Sequence, residues 1–183
     1  QIQKNLNDFS VELENQFACT LTQYPTSTAH FFGRESEMNQ ILEKVNPKSC
    51  ICISGAGGMG KSELVNQLIL ELSTTQLLKE RFPDGVIYYE FYSQPQVRDC
   101  MAHIIGSIDP TEDRDQLNTL RRLCSPKKIL LILDGLEAIE TQPQSIELYQ
   151  LLEALGNTGT IITTRDKRTL DLTKIDPIEL EAL

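Results

Sequence analysis

Apolar positions along the chain alternate between short runs and helical stripes. Ile2, Leu6, Phe9 and Leu13 recur at helical spacing and predict an amphipathic helix near the start. Residues 18–29 turn rich in Thr and Ser around Pro25 and read as a linker. Met38, Ile41, Leu42 and Val45 define a helical face that Pro47 stops. Cys50–Ser54 is a short apolar run ending in glycines, a first strand. Leu64, Val65, Leu68, Ile69 and Leu72 mark the helix after it. Val86–Tyr92 is β-branched and aromatic, a second strand. Val97, Met101, Ile104, Ile105 and Ile108 form another helical face. Asp109-Pro110-Thr111-Glu112 then reads as a helix start, with Asp109 as N-cap and Glu112 as reciprocal partner. Ile129–Leu133 is five apolar residues in a row, a strand buried on both faces. Leu148, Leu151, Leu152 and Leu155 give a helix closed by Gly156. Thr160–Thr163 and Ile178–Leu180 are the fourth and fifth strands.

Strands alternate with helices, and each crossover is long enough for a helix. That pattern predicts an α/β fold of three layers with a five-stranded parallel sheet. Residues 1–29 are expected to be an appendage and 30–183 the main domain. The chain begins at Gln1 rather than Met, which leads us to expect a piece of a longer protein.

Composition narrows the function. Hydrophobic residues make up 40% and charged residues 23%, as in a folded soluble domain. The net charge of −9 argues against direct nucleic-acid binding, which needs a surplus of Lys and Arg. No apolar run reaches the length of a membrane span and no signal peptide is visible, so a cytoplasmic location without membrane contact is expected. Cys19, Cys50, Cys52, Cys100 and Cys124 contain no C-x-x-C pair and read as reduced, buried thiols. His30 and His103 are isolated. The aromatics Tyr88, Tyr89, Phe91 and Tyr92 are expected to pack on the sheet.

The chemistry concentrates in Gly55-Ala56-Gly57-Gly58-Met59-Gly60-Lys61-Ser62, a full match to G-x-x-x-x-G-K-[ST] between a strand and a helix. Glycines let the backbone curl so that successive N–H groups point at a phosphate. The following helix adds the positive end of its dipole. Lys61 supplies an ammonium for the β- and γ-phosphates, and the Ser62 hydroxyl ligates magnesium. The loop and first helical turn, from Gly55 through Glu63, are therefore the candidate contacts for ATP or ADP. Asp134 follows an apolar strand, where a P-loop site needs a carboxylate to hold magnesium through its water shell. Gly135 stands where many hydrolysing P-loop proteins carry a second acid. Glu137 is the nearest substitute, or else an exposed first-turn residue of a helix. Ile161-Ile162-Thr163-Thr164-Arg165-Asp166 places hydroxyls and a guanidinium at a strand end. Arg165 can reach the γ-phosphate from there, or else sit on the surface beside Asp166 and Lys167.

With those elements in place, the chain resembles the NB-ARC branch of the STAND signal-transduction ATPases. The family opens with an aromatic-x-Gly-Arg-Glu segment, here Phe31-Phe32-Gly33-Arg34-Glu35. Its phosphate loop matches Gly55–Ser62, its Walker B strand Leu130–Asp134, and its T-T-R sensor Thr163-Thr164-Arg165. The strand Gly85–Tyr89 sits where the family has an apolar-aromatic strand. The resemblance covers about residues 30–183. It implies that the sensor strand lies between the P-loop and Walker B strands and that Arg165 senses the γ-phosphate. It also implies that Phe32 and Arg34 lie against adenine and ribose, unless they only pack the segment onto the sheet. In such proteins nucleotide state controls homo-oligomer assembly, and effector and sensor domains flank the switch. The sequence stops where the family continues into helical and winged-helix subdomains, so weak nucleotide binding is expected, and Gly135 implies slow hydrolysis. Two rivals remain open at this stage. One is a small-molecule P-loop kinase, for which Arg121 and Arg122 are the only tight arginine pair. The other is a non-catalytic interaction domain with structural nucleotide.

Overall fold

The computed structural model describes residues 33–112, 117–139, 142–165 and 175–181, without the side chains of 142–145. The first amphipathic helix, the linker, Cys19, His30, Phe31, Phe32, Asp166 and Lys167 lie outside the described residues. In chain order the elements are α1 (Glu35–Lys44), β1 (Cys50–Ser54), α2 (Lys61–Thr74), α3 (Leu77–Arg81), β2 (Val86–Glu90), α4 (Val97–Ile108), α5 (Leu117–Cys124), β3 (Leu130–Asp134), a 3-10 turn (Leu136–Ala138), α6 (Gln142–Ala154), β4 (Gly159–Thr164) and β5 (Asp176–Glu179).

The strands form one five-stranded sheet in the order β2-β3-β4-β1-β5, and every pair is parallel. The strand carrying Thr163 and Thr164 therefore separates the P-loop strand from the strand carrying Asp134, as the resemblance implied. Alternation along each strand sorts side chains to two faces. Ile51, Ile53, Val86, Tyr88, Leu130, Ile132 and Ile161 pack beneath α1, α2 and α3. Ile87, Tyr89, Leu131, Leu133 and Ile162 pack beneath α4, α5 and α6. Both faces are covered, which explains why the central strands are apolar runs rather than alternating ones. Cys50 and Cys52 share the second face by the same parity. Burial pushes the Cys52 thiol up to about 11. Burial, then Cys52 and Asp176, pushes the Cys50 thiol up to about 12.

Three details differ from the sequence expectation. β2 ends at Glu90, not Tyr92, because Glu90 pairs with Asp134, the last residue of β3. Phe91 still donates its N–H to the Asp134 carbonyl at 2.9 Å, and then the chain turns. Helix α3 was not anticipated, since five residues are too few to show a helical period. Asp109 closes α4 instead of opening the next helix. Its Oδ1 accepts from the Thr111 amide at 3.0 Å and the Thr111 hydroxyl at 2.7 Å, the bonds of an Asx turn. The Glu112 carboxylate pairs with Arg122, only the Glu112 amide meets the Asp109 carbonyl, at 3.4 Å, and the next described helix begins at Leu117.

Candidate nucleotide site

The site lies at the carboxyl ends of the strands, where helix amino ends and strand ends meet. Gly58 and Gly60 have φ of 78° and 79°, the left-handed region that favours glycine, and a Cβ at either would meet nothing within 4 Å. They give the loop its curl and leave its inner surface open. Lys61 begins α2 and turns its ammonium back into that curl. Its Nζ donates to the Gly55 carbonyl at 2.8 Å and the Ala56 carbonyl at 3.1 Å. Burial pulls the Lys61 ammonium below its ordinary range and Arg165 adds to this, while Glu137 and Asp134 oppose it.

Facing the loop, Asp134 is 3% exposed, and among the described residues its carboxylate accepts from three hydroxyls. Ser62 Oγ donates to Oδ1 at 3.0 Å, and the Thr163 hydroxyl donates to the same oxygen. Tyr88, from the neighbouring strand, donates to Oδ2 at 2.6 Å. The Gly135 amide donates to Thr163 Oγ1 at 2.9 Å, so the threonine is held from both sides.

A third group closes the mouth. Arg165 Nε lies 2.9 Å from Glu137 Oε1, and the Arg165 amide donates to Glu137 Oε2 at 3.2 Å. The Tyr92 hydroxyl also donates to Glu137, and the Arg165 guanidinium sits 5.8 Å from the Tyr92 ring centre. A Cβ on Gly57 would lie 3.5 Å from Arg165 Cζ, so this cluster reaches across to the phosphate loop. Gly135 itself has φ 77°, and a Cβ there would come within 2.5 Å of the Tyr92 ring. A second acid cannot occupy that position without displacing the tyrosine. The next carboxylate along the chain, Glu137, lies on the 3-10 turn that follows. Glu137 is thus a cleft residue and not an exposed helix start.

These groups border one cleft of about 350 Å³, lined by Gly57, Gly58, Lys61, Asp134, Glu137 and Arg165 among others. Gly60, Ser62 and Glu63 also line it, so the loop, the acidic strand end and Arg165 border the same cleft.

Comparison with known proteins agrees with this geometry. The family model described as NACHT domain matches residues 49–179. The chain belongs to the NACHT family. NACHT domains are STAND-class P-loop NTPases, so the resemblance was of the right kind, although the matching branch is NACHT rather than NB-ARC. No protein with a curated function matches the sequence. Among solved structures, the ORC2 protein of Aeropyrum pernix, described in ADPNP-ADP complexes, is 18% identical with a TM-score of 0.63; the match covers 86% of this chain and 50% of that one. Drosophila ORC bound to DNA gives 15% identity and a TM-score of 0.64, over 92% of this chain and 46% of that one. A STAND protein with a tetratricopeptide repeat sensor from Pyrococcus horikoshii gives 17% and 0.54, over 87% of this chain and 24% of that one. At these identities the likeness establishes the fold alone: a P-loop NTPase-like sheet. The chain spans half or less of the length of those structures.

The NACHT domain is therefore a nucleotide-binding P-loop domain, and its donor set fits a magnesium nucleotide. Ser62 gives its proton to Asp134, which leaves the lone pairs of its oxygen for a cation. Lys61 and the open glycine backbone offer only donors toward a phosphate. Gly55, Ala56 and Met59 belong to the same loop but contribute differently: the first two hold Lys61 through their carbonyls, and the Met59 carbonyl accepts from Arg34 at 3.4 Å. Arg34 is 5% exposed, pairs with Glu37 at 2.8 Å and donates to the Glu181 carbonyl at 2.7 Å. These contacts support the packing alternative for Arg34. Arg121 and Arg122 lie on α5, outside the cleft lining, and Arg122 pairs with Glu112. Sequence reasoning missed Tyr88 and Tyr92. Their only sequence signal was a tyrosine cluster at the end of a strand that neighbours the acidic one.

Proposed function

We propose that this domain is an ATP/ADP-binding regulatory switch of a larger multidomain protein, with slow hydrolysis. The reading rests on one observation: Lys61, the Ser62–Asp134 pair and the glycines of the loop line one cleft. Bound Mg²⁺·ATP would supply the phosphoanhydride, and magnesium would sit on Ser62 with Asp134 behind it. Lys61 would exchange its two carbonyl partners for phosphate oxygens. Arg165 is the group placed to read a third phosphate, since it reaches over Gly57. The ADPNP-ADP complexes described for the Aeropyrum pernix ORC2 protein support adenine as the base.

Slow turnover follows from how Glu137 is held. A carboxylate that orients water works best with a free oxygen. Glu137 is instead paired with Arg165 and accepts from Tyr92. A γ-phosphate would compete with Glu137 for Arg165, so the same arginine links nucleotide state to the freedom of the acid. A switch of this kind works only through different nucleotide affinity in its two states. Oligomerisation, as in STAND proteins, is the proposed output.

The test is to purify the protein with its natural flanks, denature it and resolve released nucleotide by chromatography. ADP is expected, along with binding of fluorescent ADP after exchange. Absence of both would overturn the reading. A fast single-turnover rate abolished by Glu137→Gln would leave nucleotide binding standing but contradict slow hydrolysis.

A further inference from the structure

Arg34 stands at the entry to α1, and its side chain is buried. A buried guanidinium has five donors in a fixed fork and cannot shed its charge, so acceptors must meet it. Arg34 finds them on three separate stretches of chain. Nη1 pairs with Glu37 at 2.8 Å on its own helix. Nη2 donates to the Glu181 carbonyl at 2.7 Å, just past β5, and reaches the Met59 carbonyl of the phosphate loop at 3.4 Å. One nitrogen thus spans the loop and the chain leaving β5. The two segments also meet directly. The Leu180 amide donates to the Ser54 carbonyl at 2.7 Å, and a Cβ on Gly55 would come within 3.0 Å of the Leu180 carbonyl oxygen. The first residue of the loop and the exit of β5 therefore lie backbone against backbone.

We infer that Arg34 is a positioning residue that couples the phosphate loop to the chain leaving β5, so that nucleotide on the loop is felt at Leu180 and Glu181; the inference rests on the nucleotide reading above. Contact lengths show where the play lies. The Arg34 bonds to Glu37 and Glu181 are short. The Met59 amide meets the Ala56 carbonyl, and the Met59 carbonyl meets Arg34, at 3.4 Å each. The loop side is thus the loose end of the strut. Lys61 holds the Gly55 and Ala56 carbonyls. In turning to a phosphate, Lys61 would release them and let the turn from Ala56 to Met59 tighten. The Met59 carbonyl rides on that turn, so the change reaches Arg34 and, through the same nitrogen, Glu181. Glu37 fixes the other edge of the guanidinium by a charge-assisted pair. A lysine has no planar fork and cannot hold these partners at once. Coupling is reciprocal, so displacing the exit of β5 changes nucleotide affinity by the same factor.

The experiment is amide hydrogen exchange read by mass spectrometry, on the protein with its natural flanks, with and without saturating Mg²⁺·ADP. Wild type, Arg34→Met and Arg34→Lys are compared. Exchange over residues 178–181 is read relative to α5, which lies outside the cleft lining and corrects for stabilisation of the whole fold. In the wild type, ADP is expected to slow exchange over residues 178–181 at least about fivefold beyond α5. In both variants that slowing should fall below about twofold, while ADP still protects residues 57–61. A merely structural Arg34 would speed exchange with and without ADP alike and leave the ratio unchanged. An Arg34 that touched the nucleotide itself would weaken ADP binding and leave the ratio at saturation unchanged. An unchanged ratio in the variants therefore overturns the inference and leaves the nucleotide reading standing. So does a wild type in which ADP protects residues 57–61 but not 178–181. Should Arg34→Met fail to fold, Arg34→Lys carries the comparison, and should neither fold, the wild-type slowing decides. A wild type in which ADP protects neither segment overturns the nucleotide reading itself, and this inference with it.

Discussion

The two walls of the cleft are built by different means. The phosphate loop is made of backbone, and its parts lie within eight consecutive residues from Gly55 to Ser62. The opposite wall is made of side chains drawn from three elements, Asp134 from β3, Glu137 from the 3-10 turn and Thr163 from β4, with Tyr88 of β2 buried behind Asp134. A backbone cradle tolerates exchange of most of its side chains, because its donors are amides. A side-chain cluster has no such spare parts, since each hydroxyl is the partner of one carboxylate oxygen. Among the loop's side chains, Lys61 and Ser62 should therefore be the sensitive ones, whereas the acidic wall should be sensitive at each of its members.

The largest expected effect on nucleotide affinity tests the loop. Lys61→Ala removes a charged donor worth ~1.5–3 kcal/mol, so ADP affinity should fall ~10- to 150-fold in a fluorescence titration. Met59→Ala, a neighbour whose carbonyl does its work, should bind within about threefold of wild type. Similar losses for both would break the contrast. On the acidic wall, Asp134→Ala leaves the buried Thr163 and Tyr88 hydroxyls without their acceptor, and each orphaned buried donor costs ~1–3 kcal/mol, while exposed Ser62 turns to water. Chemical denaturation should show a loss in that range or above, and ADP binding should no longer respond to Mg²⁺.

Gly135→Ala measures the seam between the walls. It places a side chain at a left-handed φ and against the Tyr92 ring, and strain of this kind costs ~1–3 kcal/mol. The cost should shrink in a Tyr92→Ala background, because part of it is steric; equal costs in both would mean the ring does not fill that space. A separate test, away from nucleotide binding, concerns Cys52 in the middle of β1. The thiolate is the reactive form, and burial holds Cys52 at about 11 against 9.0 for a free thiol. Labelling of the native protein by a thiol reagent at pH 8 should be slowed by about a hundredfold relative to the unfolded chain and should rise as pH climbs toward 11.

The same contrast explains what could be read from sequence. Cys50–Ser54 and Val97–Ile108 were placed to the residue because their apolar patterns have one period and clear ends. The phosphate loop was legible because its chemistry is local. The sensor strand fell between the P-loop and Walker B strands as the family likeness implied. Tyr88 and Tyr92 were not legible, because their meaning depends on which strand lies beside which and on the register Glu90↔Asp134. Gly135 was seen as a missing acid, but its reason is a tyrosine ring 43 residues earlier in the chain, at Tyr92. The Asp109 turn was misread for another cause: an Asx turn and a helix N-cap use the same carboxylate-to-amide bond, and nothing in four residues tells them apart.

The central claim is that this cleft grips the phosphates of an adenine nucleotide through the glycine loop, Lys61 and a Ser62–Asp134 magnesium seat. Calorimetric titration of ADP into the wild type and Lys61→Ala, each with Mg²⁺ and with EDTA, tests it most directly. The account predicts saturable binding by the wild type, strengthened by Mg²⁺, and a loss of at least about tenfold in Lys61→Ala. No binding by the wild type, or equal binding by the two proteins, would contradict it.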